Sequence, residues 1–440
     1  MAVIPAAMGR AENVPSRAVP GPGPAQNEEL PFRQVHLDFH TSPLIPGIGE
    51  DFHAAEFVET LKNANVDSIN IFAKDHHGMS YYPTRVGQMH PHLRFDLLGS
   101  MINACHDAGI RTPVYMSLMW DMKCAEEHAG WRVLDEHGKQ IGASPLQAGW
   151  IYVCPNSPYG DYLEAQADEI ARNYDADGFW FDILVSPPSG CFCPYCMAER
   201  EKLGLDSAKA EDRVRQYEGV LMRTMTRLTA AVRRHKPQAL IYFNGRLRIG
   251  EPFRKELKSF THLEIESLPG GHWGYGYFSV MGRYTRNLGR DYLGMTARFH
   301  RSWGDFGTLR NQAALDYECF RMLAYAGKCS IGDQLQPRGR LVQAVYDRIA
   351  KTYQSVREKE PWCSGAKAVT EIGSLSNASF ADSGYMTDTD LGVSRILGQL
   401  HYQFDILDRD SDFSRYRLIV LPDSQRLDED LLAKVRAFLI

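Results

Sequence analysis

A carboxylate that ends an apolar strand can do chemistry, because the strand end lifts the group clear of the packed core while leaving it poorly hydrated. Asp182 has this setting. Gly178-Phe-Trp-Phe-Asp182 holds a short aromatic run suited to a buried strand, entered through the turn Asp175-Ala-Asp-Gly178. The plainer role for Asp182 is a loop cap or a partner for a nearby Arg, so the other strand ends must decide. They are polar too: His36, Asp38 and His40, then His76 and His77, Asp121, Asn244 and Arg246, Glu264 and Glu266, Arg298 and His300, and Asp333. Such a ring suits carbohydrate cleavage, in which one carboxylate attacks or stabilises an oxocarbenium-like centre and a second carboxyl protonates the leaving oxygen. Trp120, Trp180, Trp273, Tyr275 and Tyr277 add flat apolar faces for sugar rings.

The elements that must hold these residues follow from periodicity. Phe32 to His40 alternates strictly, which puts His36, Asp38 and His40 on one face and Val35, Leu37 and Phe39 on the other. Further strands are predicted over 67–74, 112–119, 179–182, 239–244, 262–266, 292–297 and 329–332, and helices over 52–64, 95–109, 162–174, 211–235, 311–327 and 340–358. Residues 120–160 carry few periodic signals and read as a loop region with a short strand at 151–154. Eight strands alternating with helices across 31–360 predict an α/β fold of the TIM (β/α)8 barrel type, with an open doubly wound sheet as the alternative. Past Pro361 the pattern restarts, with strands over 366–373, 404–407 and 416–422 and helices over 388–400 and 428–439. This reads as the start of a partial, flavodoxin-like α/β domain over 361–440, inside which the chain is expected to stop.

Composition narrows the class. With 440 residues and 44% hydrophobic content the chain can bury a large core, and its net charge of −5 with dispersed Lys and Arg disfavours a nucleic-acid partner. No apolar run approaches the roughly 18 residues that span a bilayer, so no membrane partner is expected. Residues 1–30 are rich in Pro, Gly and Ala, lack a signal-peptide pattern and read as a disordered tail, which makes the cytoplasm the default compartment. Nine Cys is an odd and sparse count that disfavours a disulfide scaffold.

Three stretches carry a family resemblance. Ala73-Lys-Asp-His-His-Gly-Met79, followed by Tyr82-Pro-Thr84, resembles the Ala-Lys-His-His-Asp-Gly-Phe and Trp-Pro-Ser segments of the α-L-fucosidases. Gly178-Phe-Trp-Phe-Asp182 is similar to their nucleophile strand, and Phe243-Asn-Gly-Arg246 resembles their Asn-Asp-Arg strand end. The likeness extends to fucosidase-related barrel hydrolases that carry a β-galactosidase-type trimerisation domain behind the barrel, whose beginning residues 362–440 resemble. The resemblance implies a retaining exo-glycoside hydrolase, an α-L-fucosidase by preference, acting on a carbohydrate substrate as a homo-oligomer, a trimer. It implies Asp182 as nucleophile, His36 or His40 together with His76 and His77 on sugar hydroxyls, and Arg246 near the nucleophile, and the rim residues Trp180, Asn244 and Trp273 are expected to line the site. The family's His-His-Asp is Asp75-His76-His77 here, so only His76 matches residue for residue.

The acid/base must come from the chain's own pattern. In His262-Leu-Glu-Ile-Glu266 the polar residues share a face, so Glu264 and Glu266 both point inward with Glu266 nearer the mouth, and Glu266 is preferred. Glu264 then has the plainer role of an ion-pair partner for Arg246. Cys191-Phe-Cys-Pro-Tyr-Cys196 follows Asp182, and its three thiols would bind a structural zinc if Cys154, Cys124 or a His supplied the fourth ligand. Otherwise they are reduced thiols packing a loop, and no cofactor is expected. The remaining alternatives are a glycosidase of other specificity, β-galactosidase-like, a metal-dependent barrel hydrolase built on His36-x-Asp-x-His40, and a non-catalytic carbohydrate-binding barrel.

Overall fold

The apolar runs separated by Gly, Pro and Asp become strands and the 3.6-periodic segments become helices. A computed structural model describes residues 2–5, 29–144, 147–380, 385–423, 425 and 427–439. Its barrel strands are β1 (Arg33–Asp38), β2 (Ser68–Lys74), β3 (Pro113–Ser117), β4 (Gly178–Asp182), β5 (Leu240–Phe243), β6 (Leu263–Glu266), β7 (Tyr292–Ala297) and β8 (Lys328–Gln334). Between and after them run α1 (Ala54–Asn63), α2 (Leu97–Asp107), α3 (Tyr159–Asn173), α4 (Pro194–Lys202), α5 (Ala210–His235), α6 (Gly274–Thr285), α7 (Gln312–Ala324) and α8 (Gln343–Cys363). This is the TIM-type α/β barrel, followed by a smaller α/β domain with β9 (Ile372–Leu375), α9 (Asp388–Gln399), β10 (Phe404–Leu407), β11 (Leu418–Leu421) and α10 (Glu429–Leu439). Among the described residues no helix is long and apolar enough to cross a membrane.

Contacts divide the chain into two units, Arg33–Arg246 with Ile331–Ser355, and Met1–Phe32 with Leu247–Ser330 and Val356–Ile440. In the first, β1 to β5 are parallel neighbours in sequence order. The register sets Ser117 of β3 beside Asp182 of β4, and Phe181 beside Phe243 of β5. Gly178 permits this approach, since a Cβ there would lie 2.8 Å from the Leu240 Cβ. The helix before β4 is held from outside. Leu163, Ala167 and Ile170 of α3 recur on one buried face, while Arg227 and Arg234 of α5 pair with Asp161, Glu164 and Asp168 on its rim. Helix α2 starts where Asp96 accepts the Gly99 amide at 2.8 Å and ends before Gly109, whose φ of +72° is the left-handed C-terminal conformation.

In the second unit β6 runs parallel to β7, with Glu266 beside Met295. The smaller domain packs Leu375, Leu407, Phe413, Ile419, Leu431 and Val435 into one apolar core. Two sequence expectations differ here. The strand expected over 366–373 begins only at Ile372, which pairs with both Phe404 and Leu418, while residues 366–369 before it are exposed. Within the tail expected to be disordered, Ala2–Pro5 pairs antiparallel with Leu418–Leu421, an apolar tetrapeptide covering what would otherwise be an open sheet edge. Residues 6–28 lie outside the described residues.

Candidate active site

Asp182 ends β4 and is buried, as the run of four apolar or small residues before it requires. Three donors converge on its carboxylate. Tyr115 donates its hydroxyl to Oδ2 at 2.5 Å, Asn244 donates Nδ2 to Oδ1 at 2.9 Å, and the Ile183 amide donates to Oδ1 at 2.9 Å. Burial pushes the Asp182 carboxyl above its ordinary value, and the Tyr115 and Asn244 hydrogen bonds and the His40 ring act against that rise. Burial beside this carboxylate drives the Tyr115 hydroxyl far above the usual phenol range, so it remains a donor. Ile183 follows with φ +58°, a left-handed conformation that a β-branched residue adopts at a cost of roughly 1–3 kcal/mol. Asp182 is thus followed directly by a strained backbone position.

The imidazoles form a second layer. His76 and His40 stack with ring centroids 3.8 Å apart, and the His76 amide donates to His40 Nδ1 at 3.1 Å. His40 Nε2 faces Asp38 Oδ1 at 3.1 Å, so both of its ring nitrogens are engaged. In this arrangement His40 supports His76. Burial opposes its protonation, but the nearby Asp38, Asp75 and Asp182 carboxylates outweigh this and raise its pKa. Taking a proton on Nδ1 would break the hydrogen bond that the His76 amide donates to it.

His76 has the opposite character. Ser117 donates its hydroxyl to the Trp120 carbonyl, so Ser117 Oγ, 2.6 Å from His76 Nδ1, accepts from that nitrogen. Burial and the positive groups around it hold the His76 pKa well below 6.5. Its Nε2 is then a lone-pair acceptor 3.7 Å from Asp182 Oδ2. His77 packs edge-on to Trp150 at 4.7 Å, and burial lowers its pKa to about 4. His36 lies deeper, with Asn70 Nδ2 at 3.1 Å from its Nδ1 and its ring edge-on to Trp180.

The loop that carries His76 and His77 is pinned by buried polar groups. Asp75 accepts from the Met79 amide, the Thr41 amide and the Tyr81 hydroxyl, and burial raises its pKa to about 7. Lys74 pairs with Asp121 at 2.7 Å in the interior, which makes Asp121 a support and no part of the reacting group. Gly78, at φ +83°, sits against that carboxylate, and a Cβ would come within 2.3 Å of Asp121 Oδ1. Among the described residues the indole Nε1 atoms of Trp120 and Trp180 are buried and have no hydrogen-bond partner. Both belong to rings beside this cluster, with Trp120 edge-on to His76 at 4.7 Å and Trp180 stacked on Tyr115 at 5.4 Å.

The other candidates are placed as follows. Arg246 is fully buried and pairs with Glu218 of α5 at 2.5 Å. In the second unit Glu264 is buried against His262 at 3.0 Å, on the shared face that alternation assigns them. Glu266 is partly exposed and accepts from Trp303 Nε1 at 2.6 Å, while Trp273 stacks on His272. Tyr115, Trp150 and Trp303 were not singled out by sequence. Tyr115 stands two residues before Ser117 on β3, and alternation from that strand end was the signal that would have found it. Cys154, Cys191, Cys193 and Cys196 come together, all buried, with Cys124 outside the group.

The sequence pattern of a family described as hypothetical glycosyl hydrolase 6 matches residues 53–183. Among solved structures, α-L-fucosidase isoenzyme 2 from Paenibacillus thiaminolyticus is 38% identical, with a TM-score of 0.88 over 93% of this chain and 62% of that one. This chain thus spans about three fifths of that fucosidase. The β-galactosidases from Bacillus circulans sp. alkalophilus and the psychrophilic Marinomonas ef1 share the fold, with TM-scores of 0.68 and 0.64 at 12% and 11% identity. They cover 92% of this chain each, and the match takes in 69% and 74% of theirs. No curated protein matches the sequence.

Proposed function

We propose, on the premise that this chain is an α-L-fucosidase-related glycoside hydrolase, that it is a retaining exo-acting enzyme that removes α-L-fucose, with Asp182 as nucleophile and Glu266 as acid/base. The observation that carries this reading is the Asp182 carboxylate, buried at a strand end under three donors beside a strained residue. Asp182 attacks the anomeric carbon to form a glycosyl ester while Glu266 protonates the leaving oxygen. Glu266 then takes a proton from the water that cleaves the ester. The His76 Nε2 lone pair accepts a sugar hydroxyl, and the Trp120 and Trp180 N–H groups donate to ring substituents. Glu264, tied to His262, positions its strand.

A panel of nitrophenyl glycosides with and without chelator tests the assignment. Release from the α-L-fucoside with chelator present is the expected result. Preference for a β-galactoside would change the sugar, loss of activity with chelator at a temperature where the chain stays folded would favour a metal-dependent hydrolase, and binding without release would favour a non-catalytic barrel.

Tyr115 supplies a second test. Its hydroxyl stabilises the ionised Asp182, so Tyr115→Phe raises the Asp182 pKa further, and the acid limb of kcat/KM, where the nucleophile is protonated, moves to higher pH. On the plateau the change is small, under about tenfold, because the lost bond stabilises the ground-state carboxylate at least as well as the transition state. An acid limb that stays in place would separate Tyr115 from the titrating nucleophile.

A further inference from the structure

We propose that Cys154, Cys191, Cys193 and Cys196 bind one structural zinc ion as a tetrathiolate centre that ties the loop behind the Trp150 hairpin to the loop behind Asp182. The four sulfurs lie within 4.8 Å of one another and every one of these residues is buried. A tetrahedron of sulfurs at a zinc–sulfur distance near 2.3 Å has edges of about 3.8 Å, so the group closes on an ion with small side-chain adjustments. Cys154 and Cys196 already stand 3.5 Å apart. The ligands come from two separate pieces of chain. Cys154 follows the strand Gln147–Ile151, which carries Trp150, and the other three follow Asp182 by nine to fourteen residues.

The surroundings suit a centre with excess negative charge. Four thiolates around one divalent ion leave a net charge of about −2, which buried sites offset with N–H donors and nearby cations. The Cys193 amide lies 3.4 Å from Cys191 Sγ, and Asn156 Nδ2 lies 3.6 Å from Cys196 Sγ. Cys193 caps the N-terminus of α4 and Cys196 sits in its first turn, where the helix dipole favours thiolate. Arg200, wholly buried, donates Nη1 to the Cys191 carbonyl at 2.9 Å and so braces the ligand loop from behind. Four reduced thiols packed for volume alone would need neither this convergence nor these donors. Elsewhere a buried thiol takes the ordinary course, as Cys329 does in donating to the Cys319 carbonyl.

The test is independent of any glycosidase activity. The full chain, expressed with zinc and purified without chelator, is expected to carry one zinc per chain by elemental analysis. Refolding with cobalt should give the visible bands and near-ultraviolet charge-transfer band of a tetrahedral cobalt thiolate. Cys154→Ser should lose most of the bound metal. If that variant does not fold, the metal count and cobalt spectrum of the unaltered chain decide alone. Stripping zinc with a strong chelator should lower Tm by roughly 10 °C or more, reversed by adding zinc back. Substoichiometric metal with all four thiols open to alkylation, a Cys154–Cys196 disulfide by mass spectrometry, or an unchanged Tm after complete zinc removal would each overturn the proposal.

Discussion

Replacing Asp182 by Ala should lower turnover by several orders of magnitude, because it removes the group proposed to form the glycosyl ester. The fold should survive. Two effects oppose each other: the substitution relieves the burial that raises the Asp182 pKa, and it leaves the Ile183 amide and two side-chain donors, the Tyr115 hydroxyl and the Asn244 amide, without their acceptor. Their difference is about 1–2 kcal/mol in either direction, so Tm should move by no more than about 5 °C. The same two donors make the vacated space an anion site. Azide held there by Tyr115 and Asn244 should attack an activated aryl fucoside and restore part of the rate, giving a glycosyl azide of inverted configuration. A structural cap would give the reverse pattern, with a large loss of Tm and residual activity.

Glu266→Ala should act through the leaving group. Substrates with poor leaving groups should lose about 10²- to 10⁴-fold in kcat/KM, the range that general acid catalysis supplies, while activated aryl glycosides should lose far less in the first step. With those activated substrates azide should replace the water of the second step and yield a glycosyl azide of retained configuration. Trp303, whose indole N–H reaches Glu266 Oε1 at 2.6 Å, orients the carboxyl, and Trp303→Phe should reproduce a milder form of the same leaving-group dependence. If Glu266→Ala slows good and poor leaving groups equally, the acid is another residue. Glu264 is then the next to test, although its bond to His262 holds it in the interior.

Periodicity carried most of the architecture. The run Tyr292–Ala297 and the run Phe404–Leu407 are strands over the residues that the sequence pattern marks, and Asp182 closes β4 as its aromatic run implies. Elements without a clear apolar stripe were not legible. Helix α4 buries only Cys196 and Arg200, so neither a helical nor a strand period shows in its sequence. The paired strands Gly142–Ser144 and Gln147–Ile151 are too short to mark themselves, which left the position of Trp150 unread.

What the sequence determined by itself is which residues stand at strand ends, because burial on one face imposes a repeat of two that a single strand records locally. Which side chains meet there was decided only by the tertiary structure. Tyr115 reaches Asp182 across 67 residues of chain, and Cys154 joins Cys196 across 42. The same is true of charge and proton position. His40 and His76 are both histidines at strand ends, yet the neighbours of one engage both its nitrogens and those of the other leave a lone pair facing the Asp182 carboxylate. Tautomer and acidity follow from groups within a few ångströms, and those groups come from strands far apart in sequence.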